Sequence, residues 1–185
     1  MVIAQFTPPL RHNSRIQSFK RREFIPLDEG ILWAIEEGAV RTFTLTEDGT
    51  VISLGFWGAQ DVVGQPLTCI QPYHIECLAD VQVRCVLPNE CWHLNQVMLS
   101  HIHQMQELLR MRSGQIAERL RQLLEWLADK FGHETEQGRR IELRLTHQDI
   151  ADTLGTTRVT ITRLLRQFEQ DKMISWFRQH YIQLH

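Results

Sequence analysis

The chain has 185 residues, 43% of them hydrophobic and 23% charged, which is enough to build a core in one large domain or two small ones. No apolar run approaches the ~18 residues of a membrane span, and residues 1–10 lack the charged-then-apolar layout of a secretory signal, so a cytoplasmic protein with no membrane partner is expected. The formal net charge of −2 does not point to nucleic acid, but its distribution does: residues 139–185 carry eight Lys/Arg against five Asp/Glu, and the remainder twelve against seventeen, a basic segment on an acidic body.

Residues 1–20 show little periodicity and are expected to form a short arm against the body. From residue 21 to residue 88 the pattern is β. Residues 23–26 suggest a short strand, and the apolar run 30–38 closes on a turn glycine. Two further strands, at 40–45 and 51–57, flank Thr46-Glu47-Asp48-Gly49, an Asp-Gly hairpin turn. Residues 58–61 read as another turn, 62–64 lead onward, and strands at 75–79 and 81–87 complete the series. Short strands separated by glycine turns suggest a β-sandwich, roll or barrel.

At Asn89 the period changes. Leu94, Val97, Met98, Ile102, Met105, Leu108, Leu109, Ile116, Leu120, Leu123, Leu124 and Leu127 recur at three- and four-residue steps, a helical stripe. Its length exceeds an ordinary globular helix. Ser113-Gly114 is expected to divide it, with glycine weakening the interior and serine capping the second half. Met98, Ile102, Met105 and Leu109 lie near a coiled-coil period, so this helix is expected to pack on its own β-domain and on a twin helix at once.

Residues 132–138 read as a polar connection, and 140–145 as a short strand. The informative stretch begins at Thr146. Thr146 and Asp149 have the spacing of a capping box. Ile150, Ala151 and Leu154 make an apolar face on a short helix, with Ala151 small enough for a second helix to cross closely. Gly155 stands where that helix must end in a left-handed residue. Thr156 or Thr157 then caps a second helix, which buries Val159 or Ile161 with Leu164, Leu165 and Phe168. Its opposite face carries Arg158, Thr160, Thr162, Arg163 and Arg166. A short helix, a glycine turn and a second helix with an arginine-bearing start make a helix-turn-helix whose polar face can enter a DNA major groove. Arginine can grip guanine O6 and N7 with two hydrogen bonds, and threonine suits phosphates or thymine methyls. Residues 173–177 and 181–184, joined by Arg178-Gln179-His180, read as a hairpin wing.

The order of elements, together with Gly155-Thr156-Thr157-Arg158-Val159-Thr160-Ile161-Thr162-Arg163-Leu164-Leu165 and Lys172-Met173-Ile174-Ser175, resembles the Crp/Fnr superfamily of bacterial transcription regulators. The resemblance covers the chain from about Phe19, and within the superfamily this segment is most similar to the cyanobacterial global nitrogen regulators. It implies an α+β fold with an N-terminal double-stranded β-helix (a cyclic-nucleotide-binding-like jelly roll) over residues 1–92, a dimerisation helix over 93–113 and a winged helix-turn-helix over 114–185. It implies base contacts from Arg158, Val159 and Arg163, with Val159 favouring a GTA…TAC-type palindrome. Thr146, His147, Gln148, Thr157, Thr160 and Thr162 are expected to position the phosphate backbone. It also implies a homodimer through Met98, Ile102, Met105 and Leu109, contact with RNA polymerase, and activation rather than repression.

The stretch 63–74, where cyclic-nucleotide-binding members hold ribose and phosphate, has neither arginine nor glutamate. A phosphate buried there would lack a paired cation, so an effector, if one binds, is expected not to be cyclic AMP. No cofactor, metal or catalytic residue is expected. Cys69, Cys77, Cys85 and Cys91 form no C-x-x-C pair and read as buried, reduced thiols. His74 and Cys77 are haem ligands only by residue type, and His101 and His103 do not share a helix face. A metal-dependent enzyme on a β-roll would need a His-x-His with a glutamate on strands, which is missing. Other readings stay open on the residues alone: a small-molecule sensor, or a protein-interaction module, with a degenerate DNA-binding part.

Overall fold

The computed structural model describes residues 16–91, 93–178 and 180–185. Expectations that fall on residues 1–15, and on Gln179 in the wing turn, lie outside the described residues. Strands β1 (Ile16–Phe19), β2 (Leu32–Glu37), β3 (Ala39–Leu45), β4 (Val51–Gly58), β5 (Val62–Val63), β6 (His74–Cys77) and β7 (Val81–Val86) form two antiparallel sheets, ordered β1-β7-β2-β5 and β4-β3-β6. Alternation sends Trp33, Ile35, Val40, Trp57, Ile75, Val81 and Val83 into the space between the sheets, where they join Ile25 and Tyr73 in one core. This is the β-roll. Residues 16–19, expected to be part of an arm, are instead strand β1 on β7. Residues 23–26 make only a single bridge, Phe24 to Glu76, closed by Ile25 N to Ile75 O and Cys77 N to Glu23 O at 2.9 Å each.

The outer face of the β4-β3-β6 sheet is buried too, which alternation alone does not show. Pairing between β3 and β4 shifts where Thr42 faces Gly55 and Phe43 faces Ser53, leaving Leu54 as the extra residue of a bulge. The bulge keeps Phe56 and Ser53 on the same outer side, beneath the C-terminal helices. Phe56, Ala39 and Leu78 therefore belong to a second core that continues into the C-terminal region, while Cys91 and Val97 form a smaller cluster with Leu32 and Val62.

Helix α1 (Leu94–Arg110) turns Val97, Gln104 and Leu108 toward the roll. β4 is an edge strand, and its Phe56 amide and carbonyl point away from β3. Gln104 closes that edge: its Oε1 accepts from Phe56 N at 2.9 Å and its Nε2 donates to Phe56 O at 2.8 Å. One side-chain amide thus stands in for a neighbouring strand. His101 stacks on Trp57 at 3.9 Å and meets the Val62 carbonyl at 2.8 Å.

Helix α2 (Ile116–Phe131) is separate from α1, as the glycine predicted, but Gln115 is its N-cap residue and Ser113 caps nothing there; the Ser113 hydroxyl bonds back to Arg110 O. The stretch expected to be a polar connection is a strand, β8 (Gly132–Thr135), paired with β9 (Gly138–Ile141). Its residues are consecutive polar ones with no alternating apolar face and none of them buried, a composition that reads as loop. Helices α3 (His147–Leu154) and α4 (Arg158–Gln170) follow, then β10 (Ile174–Phe177) and β11 (Tyr181–Leu184), giving a sheet ordered β10-β11-β9-β8. Leu120, Leu123, Leu124 and Leu127 of α2 pack with Ile150, Leu154, Ile161, Leu165, Ile174 and Ile182. Among the described residues no helix is long and apolar enough to cross a membrane.

Replacing Gln104 by leucine leaves the buried Phe56 amide and carbonyl without partners. Gln104→Leu is expected to destabilise the protein by about 1–3 kcal/mol, read as a lower urea midpoint at unchanged slope. An unchanged midpoint would show that the edge closure contributes nothing.

Candidate nucleic-acid interface

Local sequence sets the two helices. The Thr146 hydroxyl accepts from Asp149 N at 3.1 Å while Asp149 Oδ2 accepts from Thr146 N at 2.7 Å, a reciprocal capping box with aspartate in the usual glutamate place. Gly155 ends α3 in the left-handed region, at φ 62° and ψ 49°, where a Cβ is disfavoured. Thr157 then caps α4 by accepting from Thr160 N at 3.2 Å. Of the alternatives left by the sequence, Thr157 rather than Thr156 is the cap, and Ile161 rather than Val159 is buried.

Helix α4 buries Ile161, Leu164, Leu165 and Phe168, leaving Arg158, Val159, Arg163 and Arg166 on the opposite face. Val159 is 77% exposed, the most open of the large hydrophobic residues among the described residues. Arg158 and Arg163 are five residues apart, about 7.5 Å along the axis, comparable to two base-pair steps. An open groove of about 820 Å³ runs beside Arg158, Val159, Arg163 and Arg166. On the other flank a cleft of about 700 Å³ lies between α3, α4 and the hairpin β10–β11, lined by Arg144, His147, Arg158, Arg166, Trp176 and His180 among others.

The residues expected to contact the phosphate backbone are disposed less uniformly. Thr146, Gln148 and Thr157 are exposed, whereas His147, Thr160 and Thr162 are half-buried. Several are already bonded within the protein. The Thr162 hydroxyl donates to Arg158 O at 2.9 Å and lies 2.8 Å from His147 Nδ1, so Nδ1 carries the hydrogen and Nε2 is the site that gains a proton. Burial, and then the charges of Arg158 and Arg166, hold the His147 imidazole below the ordinary histidine range. Gln148 donates to Asp152 Oδ1 at 2.6 Å, and the Thr157 and Thr160 hydroxyls meet at 2.9 Å. Sequence reasoning passed over Arg144, Trp176 and His180, which reach the cleft from outside the two helices. In the wing, Arg140 and Arg178 lie over the Phe177 ring at 4.1 and 5.1 Å.

On α1, Met98, Ile102, Met105 and Leu109 remain 44–66% exposed, with Leu99 beside them at 65%. The helix is therefore apolar on two sides, one of them toward the roll. The candidate metal ligands do not converge. His74 stacks on Phe43 at 5.0 Å, while Cys77 lies inside the roll, where burial pushes its thiol up to about 12. Among the described residues no group of three His/Cys/Asp/Glu could hold a metal ion. Cys91 is buried as expected, Cys85 only half so, and Cys69 is exposed, because it follows the turn at residues 65–67 on the roll surface.

A family model described as a Crp-like helix-turn-helix domain matches residues 114–185. The chain is 40% identical over 154 residues to regulatory protein CysR of Synechococcus elongatus, across 81% of this chain and 74% of that protein. It is 29% identical to electron transport regulator A of Shewanella oneidensis, across 77% of this chain and 63% of that protein, so it spans under two thirds of this second relative. It shares its fold with TTHB099, a CRP-family transcriptional regulator from Thermus thermophilus, at a TM-score of 0.74 and 24% identity over 91% of each chain. The helix-turn-helix and wing on a β-roll, with identity at this level over most of both sequences, establish that the chain belongs to the Crp/Fnr family of transcription regulators.

Proposed function

We propose that the protein binds palindromic operators as a homodimer, that Arg158, Val159 and Arg163 read the bases, and that it acts in the cytoplasm. The observation that carries this reading is the exposed face of α4, where an uncovered valine stands among arginines. An apolar side chain left in water gains by meeting a thymine methyl, and its arginine neighbours suit guanine edges and phosphates. Thr146, His147, Gln148, Thr157, Thr160 and Thr162 border that face and hold the duplex backbone, aided by the start of α3, whose amides and dipole favour an anion. Met98, Ile102, Met105 and Leu109 form the seam between protomers, supported by their shared exposure along one side of α1. The half-sites then lie about one helical turn, ~34 Å, apart. The domain limits 1–92, 93–113 and 114–185 go with this division of labour. The bound dimer contacts RNA polymerase and favours activation, a role supported by the family. Any effector of the roll is not cyclic AMP, since the stretch 63–74 offers no cation for its phosphate.

Arg163→Ala is expected to cost about 1–3 kcal/mol on the preferred operator and to relax base preference at one position. Gel shifts across a set of substituted palindromes check this. Equal loss on every sequence would reduce Arg163 to a phosphate contact.

His147 gives a pH dependence with a definite sign. Its pKa in the free protein lies below the ordinary value of about 6.5, and a phosphate beside it would raise that value. Binding would then take up a proton, so operator affinity should rise as pH falls from about 7.5 to about 6. His147→Gln should flatten the profile. A wild-type profile as flat as the mutant's would remove His147 from the interface.

A further inference from the structure

Helix α3 is held on its second face by charges from the roll. Register pairs Arg41 of β3 with Glu76 of β6 on the outer side of the sheet, and α3 turns Asp149, Asp152 and Thr153 toward them. Arg22 grips Asp149 with both nitrogens, Nη1 to Oδ1 at 3.0 Å and Nη2 to Oδ2 at 2.6 Å, and also donates to Glu76 Oε1 at 2.8 Å. Arg41 donates to Glu76 Oε2 at 2.6 Å and reaches Asp149 at 3.2 Å and Asp152 at 3.5 Å. Ser53 and Thr153 hydroxyls meet at 3.0 Å beside the cluster. Arg41, Glu76 and Asp149 are buried, and Asp152 and Arg22 stand at its rim. The Arg22 backbone is left-handed at φ 74°, a conformation that a non-glycine residue holds at some cost, and its amide is fixed to Cys77 O at 2.8 Å.

A buried ion cluster is a poor means of gaining stability, because desolvation offsets most of the attraction; what it provides is a single allowed arrangement. An apolar α3 face on an apolar sheet could slide by a fraction of a turn. Two arginine forks on three carboxylates cannot, since any slip leaves a buried charge unpaired. Asp149 is also the third-position partner of Thr146 in the capping box that starts α3, and Asp152 holds Gln148, so the cluster is tied directly to the turn of helix beside the interface.

We propose that Arg22, Arg41, Glu76, Asp149 and Asp152 are positioning residues for DNA recognition: they fix each helix-turn-helix on its roll, and so set the separation and tilt at which the two recognition helices of the dimer meet the duplex. The inference rests on the homodimeric DNA reading above. It assigns the roll a part in operator choice, through half-site spacing, that needs no bound effector.

The test uses the full chain and three probes: the palindrome it selects from a random duplex pool, a single half-site, and the palindrome with its spacer changed by about one or two base pairs. Arg22→Gln removes the fork to Asp149 from the roll side, away from the interface. Dimerisation, checked by sedimentation, should persist. Affinity for the palindrome should fall about 10- to 100-fold as the two contacts lose their fixed geometry, while half-site affinity changes less than about 2-fold and the spacing preference flattens. Arg22→Lys, which keeps the charge, should restore part of that preference. Asp152→Asn, a milder change at the rim, should shift the same readouts in the same direction and serves where Arg22→Gln does not fold. An equal loss on palindrome and half-site, or a spacing profile identical to wild type in both Arg22→Gln and Asp152→Asn, overturns the proposal. Failure of the wild-type protein to enrich any duplex would instead overturn the DNA reading itself.

Discussion

Helix α3 has no face to spare. Eight residues long, it lies between the helical core of the C-terminal region and the outer surface of a β-sheet, and both contacts demand a particular rotation about its axis. Ile150, Ala151 and Leu154 belong to the apolar core, while Asp149, Asp152 and Thr153 meet Arg22, Arg41 and Ser53. The Asp149 carboxyl feels the opposing influences most sharply. Burial alone would push it up, but the Arg22 fork, the Thr146 amide and the Arg41 charge outweigh that and hold it below the ordinary aspartate value. A carboxylate that stays ionised while buried keeps two arginines in place, and through them the sheet.

From that fixed helix the interface follows. Gly155 reverses the chain without a steric penalty, Thr157 restarts it, and α4 emerges with its apolar stripe inward and its arginines outward. The contrast between the helices is physical. α3 is immobilised on two sides and presents chiefly its first turn to solvent, whereas α4 is buried on one side and leaves the face with Val159 and the arginines free. Such a division suits one helix to holding a backbone and the other to reading a groove.

The long helix α1 shows the same economy of faces. Its inner side is anchored by Gln104 on the edge of β4 and by His101 on Trp57, two polar residues in contacts that hydrophobic periodicity treats as interruptions. Lys130 of α2 adds a cation over the same Trp57 ring, at 5.3 Å, and pairs with Asp61 at 2.8 Å. With its inner side held, the outer row of Met98, Ile102, Met105 and Leu109 is carried on a rigid support.

Much of this was legible in the amino-acid order. The Asp-Gly turn at 48–49, the change of period after Asn89, the break near Gly114, and the punctuation at Thr146, at Gly155 and at one of Thr156 and Thr157 each depend on neighbours within a few residues, and such signals survive without knowledge of the fold. The arginine-bearing face of α4 was visible because 3.6-residue periodicity sorts its side chains unaided. What depended on distant neighbours was not visible. That residues 16–19 form a strand, that residues 132–135 pair rather than wander, and that Gln104 completes a sheet edge are decided by partners far along the chain. Above all, Arg22, Arg41 and Glu76 look like ordinary surface charges in a β-rich stretch, and only the docking of α3 onto the outer sheet face brings them against Asp149 and Asp152. Local sequence thus determined the elements and the chemistry offered to a duplex, while the tertiary structure alone decided how those elements are fixed in relation to one another, because the energy of a buried charge is set by whichever opposite charge the fold brings beside it.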